Sequence, residues 1–120
     1  MPKIYGAEVR RWERREHQRK EAWATVSERT FDVSVEELWN AITTPERLAR
    51  WFSPVEGDFR PGGRYRIQGN AEGTIERCDA PEALDLTWEF AGTTTWVRVR
   101  VAAAGTRAMA ERTIAFYTGG

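Results

Sequence analysis

The sequence contains very few of the residues that reactive and metal-binding sites require. His17 is its single histidine and Cys78 its single cysteine. One cysteine excludes an internal disulfide, and the two residues together cannot supply the ligands of a zinc site. His17 lies in a highly charged segment where a Ser–His or Cys–His pair has no plausible geometry, and Cys78 falls inside a predicted strand, which favours a structural thiol. We therefore expect no metal, no cofactor and no catalytic residue set, which favours a non-catalytic protein.

Long apolar runs and net charge are also missing. The longest apolar runs are a few residues, such as Val101–Ala104, so we expect no membrane span. Eighteen basic residues balance eighteen acidic ones, whereas a nucleic-acid partner would require a surplus of cations. The first residues soon become highly charged, so we expect no secretory signal and a cytoplasmic location.

Lysine is scarce, with two Lys against sixteen Arg. Planar guanidinium groups suit the recognition of phosphates and carboxylates, but a codon bias toward G and C gives the same ratio. The even scatter of the arginines along the chain favours the second explanation.

The N-terminal segment is dense in charge of both signs. Between residues 7 and 21 ten of the fifteen residues are charged, and Trp12 is the one large apolar residue. Like-charged neighbours at helical spacing, such as Arg11 and Arg15, oppose a stable helix. We interpret residues 1–21 as a solvated arm, helical or frayed, that precedes a domain of residues 22–120.

Two short helices are predicted after a first strand at residues 22–31. Ser34 and Glu37 form a capping box, which predicts a helix from Val35 to Ile42. Thr44 and Pro45 then suit the N-cap and the first position of a second helix that ends before Ser53 and Pro54.

Several short strands follow the helices. Pro61 and Gly62 have the spacing of a type II turn, and Tyr65 and Ile67 alternate with polar residues after it. Apolar residues occupy every second position of 84–90 and again of 97–101, and a last strand is predicted from about 106 to 116. One strand, two helices and about five antiparallel strands indicate an α+β domain.

Three segments carry a family resemblance. They are Arg29–Phe52, Phe59–Tyr65 and Pro81–Phe90, in that order and at similar spacings. Together they resemble the family related to the activator of the heat-shock protein 90 ATPase, within the START-like (SRPBCC, birch-pollen-allergen-like) superfamily. The similarity covers about residues 22–107.

The resemblance implies a helix-grip fold, in which a curved antiparallel sheet wraps around a long C-terminal helix. The chain ends where that helix would stand, so we expect it to be absent or truncated and the domain to be incomplete there. The superfamily shares no catalytic residue set, and the resemblance extends only to positions that would line an apolar groove: Trp51, Phe52, Tyr65, Ile67, Leu86, Trp88 and Phe90.

Three functions remain open at this stage. The first is a binding protein for a small apolar or amphipathic molecule in a groove between sheet and helices, and the aromatic excess of six Trp, five Phe and three Tyr favours it. The second is a co-chaperone-like module that contacts another protein, and the third is a cyclase- or hydrolase-like enzyme. The third is disfavoured because no acid and base are paired in a plausible site. An open groove would also permit a homodimer.

Overall fold

The structure, a computed structural model, describes residues 2–17 and 20–117. Eight strands and two helices occupy these residues in the following order: β1 Ile4–His17, β2 Lys20–Phe31, α1 Val35–Thr43, α2 Pro45–Trp51, β3 Val55–Gly57, β4 Arg64–Ile67, β5 Glu72–Asp79, β6 Ala83–Phe90, β7 Thr93–Ala104 and β8 Arg107–Tyr117. The fold is therefore α+β, as the sequence predicted, and it has the curved sheet of the helix-grip fold. None of the helices in this part of the chain combines the length and the apolar character needed to cross a membrane.

All eight strands form one antiparallel sheet. Its spatial order is β1-β2-β8-β7-β6-β5-β4-β3. Strands β3 to β8 follow each other as neighbours, and β8 then pairs with β2, so that Val26 lies opposite Thr113. The two helices connect β2 to β3, and α1 packs against β7 and β8.

The start of α1 confirms the predicted cap. The Ser34 hydroxyl accepts a hydrogen bond from the Glu37 amide at 3.1 Å. The Glu37 carboxylate does not follow the capping-box expectation, because it accepts a hydrogen bond from Arg47 of α2 at 2.5 Å. That contact ties the second helix to the first.

The turn before β4 is also as predicted. The Gly63 amide donates to the Arg60 carbonyl at 2.9 Å, which closes a four-residue turn around Pro61 and Gly62. Gly62 has a φ of 82°, the conformation that a type II turn requires at its third residue. The three-residue strand β3 was not predicted, since Val55–Gly57 is too short to show an alternating pattern.

The prediction of a helical or frayed N-terminal segment is wrong for Ile4–His17. These residues form the longest strand, β1. Its pairing with β2 is regular around Trp12, which lies opposite Thr25. Arg11 explains the pairing, because its guanidinium lies 2.9 Å from Glu28 of β2 and 3.4 Å from Glu111 of β8. One side chain thus crosses three strands. The division into an arm of residues 1–21 and a domain of residues 22–120 stays a prediction.

The hydrophobic core lies between the helices and one side of the sheet. It joins buried residues of both helices to buried residues of the sheet, which are Leu38, Trp39, Leu48, Val55, Tyr65, Ile67, Ile75, Leu84, Val101 and Ala108. This core defines the helix-facing side of the sheet, and the other side is called the opposite side below.

Candidate functional site

Strand register identifies which other side chains share the helix-facing side. Ile75 of the core lies opposite Leu86, Leu86 opposite Val97, and Val97 opposite Ile114. The same row continues through Thr25 of β2 to Trp12 of β1. Directly paired residues point to the same side of a sheet, so one row of side chains runs from the core to the edge strand.

The helix-facing side has two ends. At the covered end the helices pack over the sheet, and Leu84 and Val101 are only 4% and 3% exposed. The rows farther from the helices form what we call the open end, which consists of Trp12, Trp23, Leu86, Trp88, Phe90, Val97, Ile114 and Phe116.

Aromatic side chains dominate the open end. Trp12 is 67% exposed and Phe90 55% exposed, although both are large and apolar. The rings of Trp12 and Phe116 meet edge to face with their centroids 6.2 Å apart, one of the preferred arrangements of aromatic pairs. The open end is therefore an aromatic surface on the side of the sheet that elsewhere forms the core.

Arginines border this surface. The Arg14 guanidinium lies over the Trp23 ring, 5.1 Å from its centroid. Elsewhere on β1, Glu8 lies 3.1 Å from the Arg10 guanidinium and 3.2 Å from the Arg29 guanidinium. The hydrogen bond from Arg10 lowers the pKa of Glu8, and the charges of Arg10, Arg29 and Arg112 add to that effect. Glu8 is thus an ionised carboxylate among three cations.

Two of the predicted groove residues lie inside the core. Tyr65 and Ile67 are each 4% exposed, and the Tyr65 hydroxyl donates to the Thr87 carbonyl. Burial raises the pKa of Tyr65, and the charge of Glu89 raises it further. Gly73 makes room for the Tyr65 ring, because a Cβ at that position would stand 2.9 Å from the ring and would overlap the Thr87 carbonyl. These two side chains support the sheet from within the core.

The other predicted groove residues fall into three groups. Leu86 and Trp88 are half-buried, packed against the core on one side, and Phe90 is exposed beyond them. Phe52, at the C-terminal cap of α2, is exposed. Trp51 is the last residue of α2, and its side chain lies outside the described part of the structure. Only Leu86, Trp88 and Phe90 share one strand face at the open end.

Sequence reasoning missed the β1, β2 and β8 contributions to this surface. Trp12, Trp23 and Phe116 come together only because β2 pairs with both β1 and β8. The single available signal was the isolated Trp12 within a charged segment, which polar surroundings alone do not explain.

The opposite side of the sheet carries a small cleft of about 50 Å³. Trp96 and Ala115 lie at its base, with Arg98 and Asp85 among its charged walls. The Asp85 carboxylate lies 2.6 Å from Arg100 and 3.9 Å from Arg98, so carboxylates on this side neutralise the arginines beside it. A cleft of this size holds little more than a water molecule or two.

The side chains that could act as nucleophiles or metal ligands do not form a cluster in the described part of the structure. Cys78 is half-buried against the core, and burial, followed by the charge of Asp79, raises the pKa of its thiol. A raised pKa lowers the thiolate fraction that a nucleophile needs. Across the described residues, no group of three or more His, Cys, Asp or Glu side chains is arranged to hold a metal ion.

Comparison with known proteins identifies similar chains. Residues 32–116 match the family described as Activator of Hsp90 ATPase homolog 1-like protein. The crystal structure of CalU16 from Micromonospora echinospora is 34% identical, with a TM-score of 0.87 over 94% of this chain and 73% of CalU16. Its solution structure gives a TM-score of 0.84, and there the match spans 62% of the CalU16 chain.

More distant structures share the fold alone. An HSP90 activator from Plasmodium falciparum is 20% identical, with a TM-score of 0.67 over 82% of this chain and 75% of the activator. No curated protein matches the sequence.

Proposed function

Because this chain belongs to the family of Activator of Hsp90 ATPase homolog 1-like proteins, we propose that it binds a small apolar or amphipathic molecule and catalyses no reaction. The ligand lies on the helix-facing side of the sheet, where the open end adjoins the helices. Leu86, Trp88 and Phe90 contact the ligand from β6, and the proposal extends to Trp51 and Phe52 at the end of α2. Tyr65 and Ile67 hold the sheet beneath them. The protein acts in the cytoplasm.

One observation carries this proposal, namely the exposure of large aromatic side chains on a core-type sheet face. Each large apolar side chain left in water forgoes roughly 1.5–3 kcal/mol of burial free energy. Trp12 and Phe90 remain more than half exposed, while Leu84 and Val101 on the same side of the sheet are buried in the core that includes both helices. A contiguous exposed apolar patch is a common property of ligand and partner sites.

A fluorescence titration with Nile red, an uncharged apolar dye, tests the proposal. Trp12→Ala removes an exposed ring from the open end and should weaken dye binding by about tenfold, in line with 1–2 kcal/mol of lost contact. Val9→Ala is the matched control, since Val9 is an exposed apolar residue of the same strand that pairs with Glu28 on the opposite side. Equal loss in both variants, or no dye binding at all, would contradict the proposal.

Native mass spectrometry of protein purified from its own host offers an independent test. A small molecule that co-purifies with the parent protein and not with Trp12→Ala would support binding at the open end. Light scattering on the same samples separates this outcome from a homodimer, in which a second copy would cover the open end instead.

A second candidate function is that of a co-chaperone-like module, which the family description favours. In that case the open end would contact a chaperone of the heat-shock protein 90 type. Calorimetric titration with a purified chaperone of that type distinguishes the two functions. Saturable binding that Trp12→Ala abolishes would favour the protein partner.

A further inference from the structure

We infer that the open end binds a carboxylate-bearing amphipathic molecule, whose carboxylate pairs with Arg112 and Arg10 while its apolar part lies on Trp12 and Phe116. This inference rests on the proposed function and adds the chemical class of the ligand. It depends on the order of cationic and aromatic rows along β1, β2 and β8.

The cationic and aromatic rows are direct neighbours. Arg112 of β8 lies opposite Ser27 of β2, and Ser27 lies opposite Arg10 of β1. The next row toward the open end is the one that contains Ile114 and Trp12. Successive rows on one side of a sheet are about 6.6 Å apart, so a charged head group at the first row leaves an attached chain over the following ones.

Positive charge exceeds negative charge around the row that contains Arg10 and Arg112, where the head group of the ligand would lie. Glu8 is the carboxylate that faces Arg10, Arg29 and Arg112, and it contacts the first two. Arg112 is exposed and has no ion pair within the part of the chain that the structure describes. The Nε atom of Arg29 is buried without a hydrogen-bond partner there, so Glu8 satisfies this guanidinium only in part. Arg10, Arg112 and the neighbouring Arg29 therefore bring three positive charges to the single carboxylate of Glu8.

The chemistry of these groups favours a carboxylate. A guanidinium group offers parallel N–H donors that match the two oxygens of a carboxylate. The adjacent indole and phenyl rings exclude water from one flank of the pair, which strengthens the electrostatic attraction. A cationic head group would be repelled at the same place, and a neutral head group would form no ion pair with the guanidinium groups.

Two arginines on the opposite side of the sheet differ from Arg112 because each has a carboxylate contact. Arg98 and Arg100 both lie within 3.9 Å of Asp85. Arg98 pairs with Thr113 on β8, the residue next to Arg112 in the chain. An Arg98→Gln variant is therefore a matched control for Arg112→Gln, because both remove one exposed guanidinium and they do so from different sides of the same part of the sheet.

Isothermal titration with three ligands of equal chain length tests the inference: decanoate, decanol and decylammonium. The parent protein should bind decanoate most tightly and decylammonium least tightly. Arg112→Gln should weaken decanoate by roughly five- to tenfold, the size expected for an exposed charge-assisted hydrogen bond. It should change the affinity for decanol by less than about twofold, and Arg98→Gln should change neither affinity by more than that.

The outcomes separate the ligand class from the proposed function. If decanol binds as tightly as decanoate and Arg112→Gln has no effect, the open end binds apolar molecules and the carboxylate inference is wrong. If decylammonium binds best, the inference is also wrong. If Arg98→Gln weakens decanoate as much as Arg112→Gln does, the net charge of the protein and not a local contact controls the affinity, and the inference is wrong. If none of the three ligands nor Nile red binds, the proposed function fails and the inference with it.

Discussion

The covered end and the open end of the helix-facing side differ in what packs over them and not in the strands that build them. Leu84 and Leu86 are two residues apart on β6 and point to the same side, yet Leu84 is buried and Leu86 is half-buried. Leu84 belongs to the buried core that includes residues of both helices, whereas Leu86 is only partly buried against that core. One strand thus stabilises the fold at one end and carries the exposed ring of Phe90 at the other.

The two ends also differ in the partners of their polar groups. At the covered end α1 and α2 are joined by the Arg47–Glu37 contact, and their apolar residues complete the core. At the open end the Arg14 guanidinium lies over the Trp23 ring, and nearer the helices Arg10 contacts Glu8. Substitutions at the two ends should therefore separate stability from binding.

The largest expected effect is that of Leu84→Ala at the covered end. Emptying a buried leucine site should lower the free energy of unfolding by about 2–5 kcal/mol. Leu86→Ala is its matched partner and should cost about 1–2 kcal/mol, because less of that side chain leaves water on folding. Urea denaturation measures both. Equal costs would mean that the two ends do not differ in packing.

A smaller effect is expected for Tyr65→Phe. The substitution removes the hydrogen bond to the Thr87 carbonyl and should cost about 1.5 kcal/mol of unfolding free energy. Tyr5→Phe is the control, since Tyr5 is half exposed and keeps its ring under the Arg107 guanidinium. Thermal or urea unfolding of both variants gives the comparison, and a neutral Tyr65→Phe would show that the hydroxyl does not stabilise the core.

The helix that closes the covered end can be weakened at its cap. Ser34→Ala removes the acceptor of the Glu37 amide and should cost about 1 kcal/mol. Ser34→Asp should be nearly neutral, because an aspartate carboxylate caps equally well. Urea unfolding of the two variants separates the cap from other effects of substitution, and equal losses would argue against it.

The smallest effect on stability is expected at the open end. Trp12→Ala should change the free energy of unfolding by less than about 0.5 kcal/mol, because the side chain is two-thirds exposed. The same variant should bind Nile red about tenfold more weakly, as described above. A large loss of stability would instead show that Trp12 belongs to the core.

The sequence predicted the parts of the fold that depend on neighbouring residues. The Ser34 cap, Pro45 at the start of α2 and the turn at Gly62 are all local features, and the structure confirms each position. Thr44 also stands at the N-cap of α2, although its side chain makes no capping hydrogen bond.

The parts that depend on distant residues were not predicted. Strand β1 shows no alternating pattern because charged residues occupy both of its sides, and it is held by contacts from Arg11 to Glu28 and Glu111. Alternation in β6 indicated which residues share a face, but it could not indicate where the helices stop. For that reason the predicted groove included Tyr65, which lies in the core, and omitted Trp12, which lies at the open end.

The position of β8 between β2 and β7 has a consequence for the order of folding. Val26 and Thr113 are neighbours in the sheet but stand about ninety positions apart in the chain. Closing so large a loop costs entropy before any contact repays it, which is typical of slow-folding topologies. Strands β1 and β2 are consecutive in the chain, yet they join the remaining strands of the sheet only through β8. During synthesis β2 and β7 therefore each present an unpaired edge until β8 is made, and that interval is when the chain is most exposed to aggregation.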